Sequence, residues 1–198
     1  MIIGLTGKSC SGKNYVGELL KARGLEVWDT DIMCHNGLNE NIRAIVSEFG
    51  KEVLVDGIEG VEISRPVLGK IVFSDPEKRR ALEGILYPWL RNLVLEWMAE
   101  NSDKNLVLNG ALLFRAGFCN LCDCIIYVDA SYEIRLKRAL ERDKLDEKTF
   151  LLREKTQTDV DFRDVDYGLP LYIVANNGSI FEEVNRQVID ICDKLGIV

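Results

Sequence analysis

Gly7 and Gly12 stand five residues apart in the stretch GKSCSGKN (residues 7–14), and Lys13 follows directly. The spacing is G-x-x-x-x-G-K, with Asn14 where a serine or threonine more commonly completes it. Glycine permits backbone angles that a side chain forbids, so successive N–H groups can turn inward around an anion while Lys13 adds a full positive charge. A helix opening at Gly12 would add the positive end of its dipole. Ordinary glycine-rich turns also match a pattern this short. Here it sits between an apolar run and an amphipathic stretch, which favours polyphosphate binding. Gly7, Cys10, Ser11, Gly12, Lys13, Asn14 and Tyr15 are the candidate contacts.

Three further groups of residues bear on phosphate chemistry. Asp29 and Asp31 close the run LEVWDTD (25–31); two apart on a persisting strand, they would share a face. One could take a proton from, or orient, an attacking hydroxyl while the other holds metal-bound water. The alternative is a pair of turn residues ahead of a helix from about Ile32. Asn14 is the second group: an amide oxygen can coordinate a hard cation, less commonly than the hydroxyl it replaces, which predicts a weakened or water-mediated magnesium contact. Asn14 and Asp29 are the candidate metal residues. The third group is SYEIRLKRALERDK (131–144), which sets Arg135, Arg138 and Arg142 at helical spacings of three and four. Arginine suits phosphate oxygens bidentately, so this helix and the chain after it could close over a nucleotide. The other reading is a solvated face paired with Glu133, Glu141 and Asp143.

Cys119, Cys122 and Cys124 lie close enough in FCNLCDC to share a metal ion. No fourth ligand is evident, the single histidine, His35, is remote, and CIIYVD reads as a buried strand. Cys10 is either an inert thiol or one whose oxidation would block ligand entry.

The elements that must position these groups follow from periodicity. IIGLT (2–6) is a short apolar run bounded by glycine. Val16, Leu19 and Leu20 then repeat at helical spacing until Gly24. LEVWDTD reads as a second strand. NLVLNG (105–110), CIIYVD (124–129) and LYIVAN (171–176) read as further strands, separated by helices at about 131–143, 146–157 and 179–195. Residues 38–100 carry little strand signal. Helical periodicity runs through 40–49 and 77–99, with a break expected at Tyr87-Pro88, so this stretch reads as a helical insertion. Apolar strands alternating with helices predict an α/β fold, a parallel sheet covered on both faces, with the ligand beyond the carboxyl ends of the strands.

Composition limits the partners. The 198 residues are 47% hydrophobic and 29% charged, with a formal net charge of −7. That balance suits a soluble globular protein and argues against a broad nucleic-acid surface, which needs a basic stripe. Small ligands are the expected partners. MIIGLT lacks a basic segment ahead of an apolar stretch, and no 18-residue apolar run occurs. The expectation is therefore no signal peptide, no membrane span and a cytoplasmic protein with reduced thiols.

Taken in order, IGLTGKSCSGK, VWDTD, EFGKEVL, ISRPVLGKIVFSDPEKRRALEGILYPWLR, LKRALERD, Gln157 and IVANNGS resemble the dephospho-coenzyme A kinase family over nearly the whole chain. The resemblance implies a P-loop kinase fold: a five-stranded parallel core, a helical substrate-domain insertion and a lid. It implies one kinase domain over 1–198, with 1–33 and 102–198 as nucleotide-binding core, a lid at about 138–165 and 34–101 as the acceptor-binding insertion. It further implies ATP and Mg2+ as cofactors and phosphorylation of the ribose 3′-hydroxyl of dephospho-CoA. Lys13 takes the place of the P-loop lysine, Asp31 that of the base, and Arg138 and Arg142 those of the lid arginines. Asp31 and Arg65 fall on the acceptor side.

The chain departs from the family pattern at several positions. T-G-G-I-G-S-G-K-[ST] becomes a loop carrying Lys8, Cys10 and Asn14, His-Pro becomes Tyr87-Pro88, and P-L-L-x-E becomes Ala111-Leu112-Leu113-Phe114-Arg115. The last exchange inverts a charge beside the expected acceptor pocket. Two other readings stay open at this stage: a related nucleoside or nucleotide kinase with a different acceptor, and a non-catalytic ATP-binding module.

Overall fold

The computed structural model describes residues 1–57, 60–142, 144–163, 166, 168–178 and 181–197. The chain opens with β1 (Ile2–Thr6) and α1 (Lys13–Lys21), followed by β2 (Glu26–Asp29), α2 (Thr30–Glu40) and α3 (Ile42–Phe49). A 3-10 turn at Lys51–Val53 leads into β3 (Leu54–Gly57), β4 (Gly60–Ile63), α4 (Arg65–Ser74) and α5 (Pro76–Glu100). Next come β5 (Leu106–Asn109), a 3-10 turn at Phe118–Leu121 and β6 (Cys124–Asp129). The last elements are α6 (Tyr132–Glu141), α7 (Glu147–Thr156), β7 (Leu171–Ala175) and α8 (Phe181–Lys194). The helix expected from 179 is described from Phe181; residues 179 and 180 lie outside the described residues, as does Asp143. The chain divides into two compact units, Met1–Asp29 with Asn101–Val198, and Thr30–Glu100.

The first unit is built on a five-stranded parallel sheet in the order β2-β5-β1-β6-β7. Its central strands are apolar throughout because helices and loops cover both faces. On one face Ile3, Leu5, Val107, Ile126 and Val128, all fully buried, pack against Val16 and Leu20 of α1 and Val184 and Val188 of α8. Each such side chain contributes about 1.5–3 kcal/mol by leaving water. α1 approaches closely at Gly17, where an added methyl would already touch Leu5 and Val27 at 3.5 and 3.6 Å. On the other face Gly4 is covered by Ile125, Cys122 and Leu113, and Tyr127 stacks on Phe162 with ring centroids 4.9 Å apart. Because the strands are parallel, Thr6, Asp29, Asn109, Asp129 and Ala175 all end at the same edge.

The second unit is helical around a small antiparallel hairpin, β3 with β4. Leu38, Ile45, Phe49, Val53, Ile63, Leu68, Val72 and Leu86 form its core. α2 and α5 meet where Gly37 faces Trp89; a methyl there would come within 2.4 Å of the indole ring.

Three expectations need correction. β2 ends at Asp29 and α2 begins at Thr30, so Asp31 sits in the first turn of a helix and the shared strand face of Asp29 and Asp31 does not exist. A carboxylate in a first helical turn complements the dipole, which favours this early start. α5 runs through Pro88 without a break. The proline frees the carbonyl of Gly84 four residues back, and both residues are exposed, so solvent can satisfy it. The hairpin within 54–63 went unread because its strands have four residues each and expose Val55 and Val61.

Candidate active site

The glycine loop follows β1 at the carboxyl edge of the sheet. Gly12 has φ +97°, a left-handed angle, and caps α1 without any side-chain acceptor. No carboxylate occupies the first turn of α1. The amides of Asn14 and Tyr15 therefore open the helix without intrahelical acceptors, and Val16 is the first to close back, onto Gly12 O at 3.2 Å. Crowding dictates the glycines as much as angle does. A methyl on Gly7 would fall 2.5 Å from Val128 O and 2.6 Å from Ser11 Oγ, and one on Gly12 would fall 2.2 Å from Asn176 Nδ2. Cys10, half-buried, holds φ +63° without being glycine. Ser11 N–H donates to Lys8 O at 3.1 Å, closing the turn. Tyr15 meets Phe181 edge-on at 5.4 Å.

Asn109, at the end of β5, brings two candidate metal residues together. Its Nδ2 donates to Asn14 Oδ1 at 3.1 Å and to Asp29 Oδ2 at 3.2 Å. Two hard oxygens thus converge beside the loop, a donor set suited to magnesium, which takes one or two protein oxygens and fills its shell with water and phosphate oxygens. Asn109 is 3% exposed. Only its place at a strand end pointed to it in the sequence.

The arginines of α6 divide their work. Arg135 is buried, donates from Nε to Ala130 O at 3.1 Å and pairs bidentately with Glu154 of α7. It is neither a phosphate ligand nor part of a solvated face. Arg138 Nη1 donates to Cys10 O and Ser11 O, and its Nη2 to the backbone and side-chain oxygens of Asn176. Burial and the nearby Arg142 charge pull the Arg138 guanidinium below its usual range.

The chain after α7 lies along the loop. Gln157 Oε1 accepts from Ser9 N at 2.8 Å, and Lys8 pairs with Asp161 at 3.1 Å. Burial alone would raise the Asp161 carboxyl; hydrogen bonds from Arg163 and Lys8 outweigh it and hold the group well below the usual carboxylate range. Arg115 is bonded bidentately to Asp159 and donates to Thr156 O. The inverted charge is therefore met inside this unit. Ser9 with Gln157, Lys8 with Asp161, and Arg115 with Thr156 and Asp159 are separated by 41 to 153 residues of chain, so no spacing rule would have found them.

In the second unit, Asp31 and His35 are four residues apart on α2 and so share a helix face. Arg65, first residue of α4, places Nη2 3.1 Å from each ring nitrogen of His35. Burial, and then the charge of Asp31, pushes the Cys34 thiol up to about 12.

The cysteine cluster is part of the core. Cys119, Cys122 and Cys124 are buried, and Cys122 donates to Phe118 O at 3.4 Å. Burial pushes Cys122 up to about 12 and Cys124 up to about 11, which favours the neutral thiol at both. Among the described residues no three His, Cys, Asp or Glu side chains are grouped to hold a metal ion.

A parallel sheet whose first strand runs through a glycine loop into an uncapped helix, with lysine, arginines and paired oxygens at one edge, defines a P-loop kinase. The dephospho-CoA kinase family model matches residues 1–182. A dephospho-CoA kinase of Fusobacterium nucleatum is 30% identical over 98% of both chains, and one of Arabidopsis thaliana is 32% identical over 94% of this chain and 80% of its own. Among solved structures, a Thermus thermophilus protein superposes with a TM-score of 0.81 at 29% identity, covering 98% of this chain and 97% of its own. Dephospho-CoA kinase from Campylobacter jejuni gives 0.66 at 25% identity, covering 98% and 96%. The chain belongs to the dephospho-CoA kinase family.

Proposed function

We propose that the protein transfers the γ-phosphoryl group of ATP to the ribose 3′-hydroxyl of dephospho-CoA, giving CoA and ADP in the cytoplasm. The observation that carries this reading is the open amino end of α1, with Lys13 in its first turn and Asn14 and Asp29 converging on Asn109 beside it. Lys13 and the amides of Gly12, Asn14 and Tyr15 hold the β- and γ-phosphates, and Gly7, Cys10 and Ser11 shape the loop around them. Asn14 and Asp29 are the residues that would hold Mg2+, which would supply charge neutralisation for the phosphates.

Asp31 orients the acceptor hydroxyl and takes its proton. The 3′-oxygen bonds to the γ-phosphorus as the bond to the β–γ bridging oxygen breaks, and ADP departs with that electron pair. Lys13, Arg138 and Arg142 stabilise the charge that spreads over the transferring group. Arg65 binds the acceptor from the helical insertion, 34–101, and the stretch at about 138–165 acts as the lid. The charge inversion at Arg115, which would favour another acceptor, is neutralised by Asp159 within its own unit and supports none.

Incubating the protein with ATP, Mg2+ and either dephospho-CoA or a panel of nucleoside monophosphates, and following ADP, tests the reading. Stimulation by dephospho-CoA alone is expected. Stimulation by a monophosphate alone, or nucleotide binding without turnover, would refute it.

A further inference from the structure

The loop is gripped from its carbonyl side by one buried and one half-buried side chain, neither of which belongs to the loop motif. Asn176, 8% exposed, donates from Nδ2 to Ser11 O at 2.8 Å. Its Oδ1 and its backbone carbonyl each accept from Arg138 Nη2 at 3.0 Å. Arg138 Nη1 reaches Ser11 O at 3.0 Å and Cys10 O at 3.3 Å. The backbone of Asn176 is itself fixed, its N–H donating to Asp129 O at the end of β6 at 2.7 Å. Gly12 is pressed so closely on this amide that a methyl would collide with Nδ2.

In a trans peptide the C=O and the following N–H point in opposite directions. Two donors on Ser11 O therefore turn the Gly12 N–H the other way, into the loop. Without them the Ser11–Gly12 peptide is free to flip, because glycine tolerates either orientation. An amide already aimed at an anion costs no reorganisation when the anion arrives.

We infer that Asn176 is a positioning residue for the phosphoryl donor: through Ser11 O and Arg138 it fixes the peptide whose N–H faces the polyphosphate. This rests on the loop being the ATP site. The four terminal N–H bonds of Arg138 are all committed to this task, so its charge acts on the nucleotide through the loop that it shapes.

Asn176→Asp is the direct test, since it keeps volume and an acceptor for Arg138 but removes the donor to Ser11 O. Calorimetry should give a Kd for ADP raised about tenfold, with KM for ATP raised in parallel and KM for dephospho-CoA within about twofold of wild type. Arg138→Lys, which removes the planar fork and leaves Asn176 in place, should raise the ADP Kd by the same factor and serves if the first variant does not fold. A packing role would instead lower thermal stability and leave the ratio of the two KM values unmoved. ADP affinity within twofold of wild type in either folded variant overturns the inference, provided that Lys13→Ala, measured alongside, loses ADP binding. If Lys13→Ala binds ADP normally, the loop assignment itself falls, and the inference with it.

Discussion

Arg115 replaces the glutamate that the resemblance leads us to expect, and its removal has a calculable cost. Arg115→Ala deletes, among the described residues, Nε to Asp159 Oδ2 at 2.7 Å, Nη2 to Asp159 Oδ1 at 2.6 Å and Nη2 to Thr156 O at 2.6 Å. The paired side chains are 19% and 23% exposed. An exposed pair contributes about 0–1 kcal/mol and breaking a fully buried one costs about 3–5 kcal/mol, so this intermediate pair is set at about 2 kcal/mol. For a chain of this length each kcal/mol moves Tm by about 2–4 °C, which gives a fall of about 4–8 °C. Arg115→Glu should fall further, by opposing two carboxylates, and the double variant Arg115→Glu/Asp159→Arg should recover part of the loss. Scanning calorimetry reads Tm, and steady-state kinetics should find KM for dephospho-CoA changed by less than about threefold. An unchanged Tm in Arg115→Ala with a tenfold rise in that KM would make Arg115 an acceptor ligand and refute the reasoning.

Three other outcomes follow from the same geometry. Asp31→Asn should lower kcat by about 10²–10⁴-fold with ADP affinity unchanged by calorimetry, the signature of a lost proton acceptor; near-wild-type turnover would remove Asp31 from that role. Asn14→Ser restores the more usual hydroxyl, and a magnesium titration of the rate should give a lower half-saturating concentration; no change would mean that Asn14 is not a metal contact. Asp161 is depressed in the folded state, so its stabilisation is complete above the unfolded carboxylate value near 4 and is lost as pH falls toward the folded value. The Tm gap between wild type and Asp161→Asn should accordingly be full at neutral pH and close only below about pH 4; a gap constant down to pH 2 would show that the ion pairs are not its source.

The strands of the sheet were readable because burial on both faces leaves near-continuous apolar runs, and β1 and β6 match their expected bounds to the residue. The hairpin and the unbroken α5 were not, since four-residue strands with an open face carry little periodicity and a proline on a solvated face is tolerated. Within the site, chemistry carried by contiguous residues was legible: Gly7 to Tyr15 form one motif. Asn109, Gln157, Asp161 and Asn176 act through contacts made only after the sheet has brought distant segments to one edge. Arg135 shows the limit of helical spacing as a guide. Its place three residues before Arg138 suggested a shared phosphate face, yet it turns inward to Glu154.

β5 lies beside both β1 and β2, although the whole of Thr30–Glu100 separates it from them along the chain. As the polypeptide emerges from the ribosome, the two amino-terminal strands have no sheet to join until that insertion has been made. The helical unit can gather its own core first. Arg138 and Asn176 are translated later still. A nascent or prematurely ended product therefore carries the glycine motif without the bonds from Arg138 and Asn176 that hold its carbonyls.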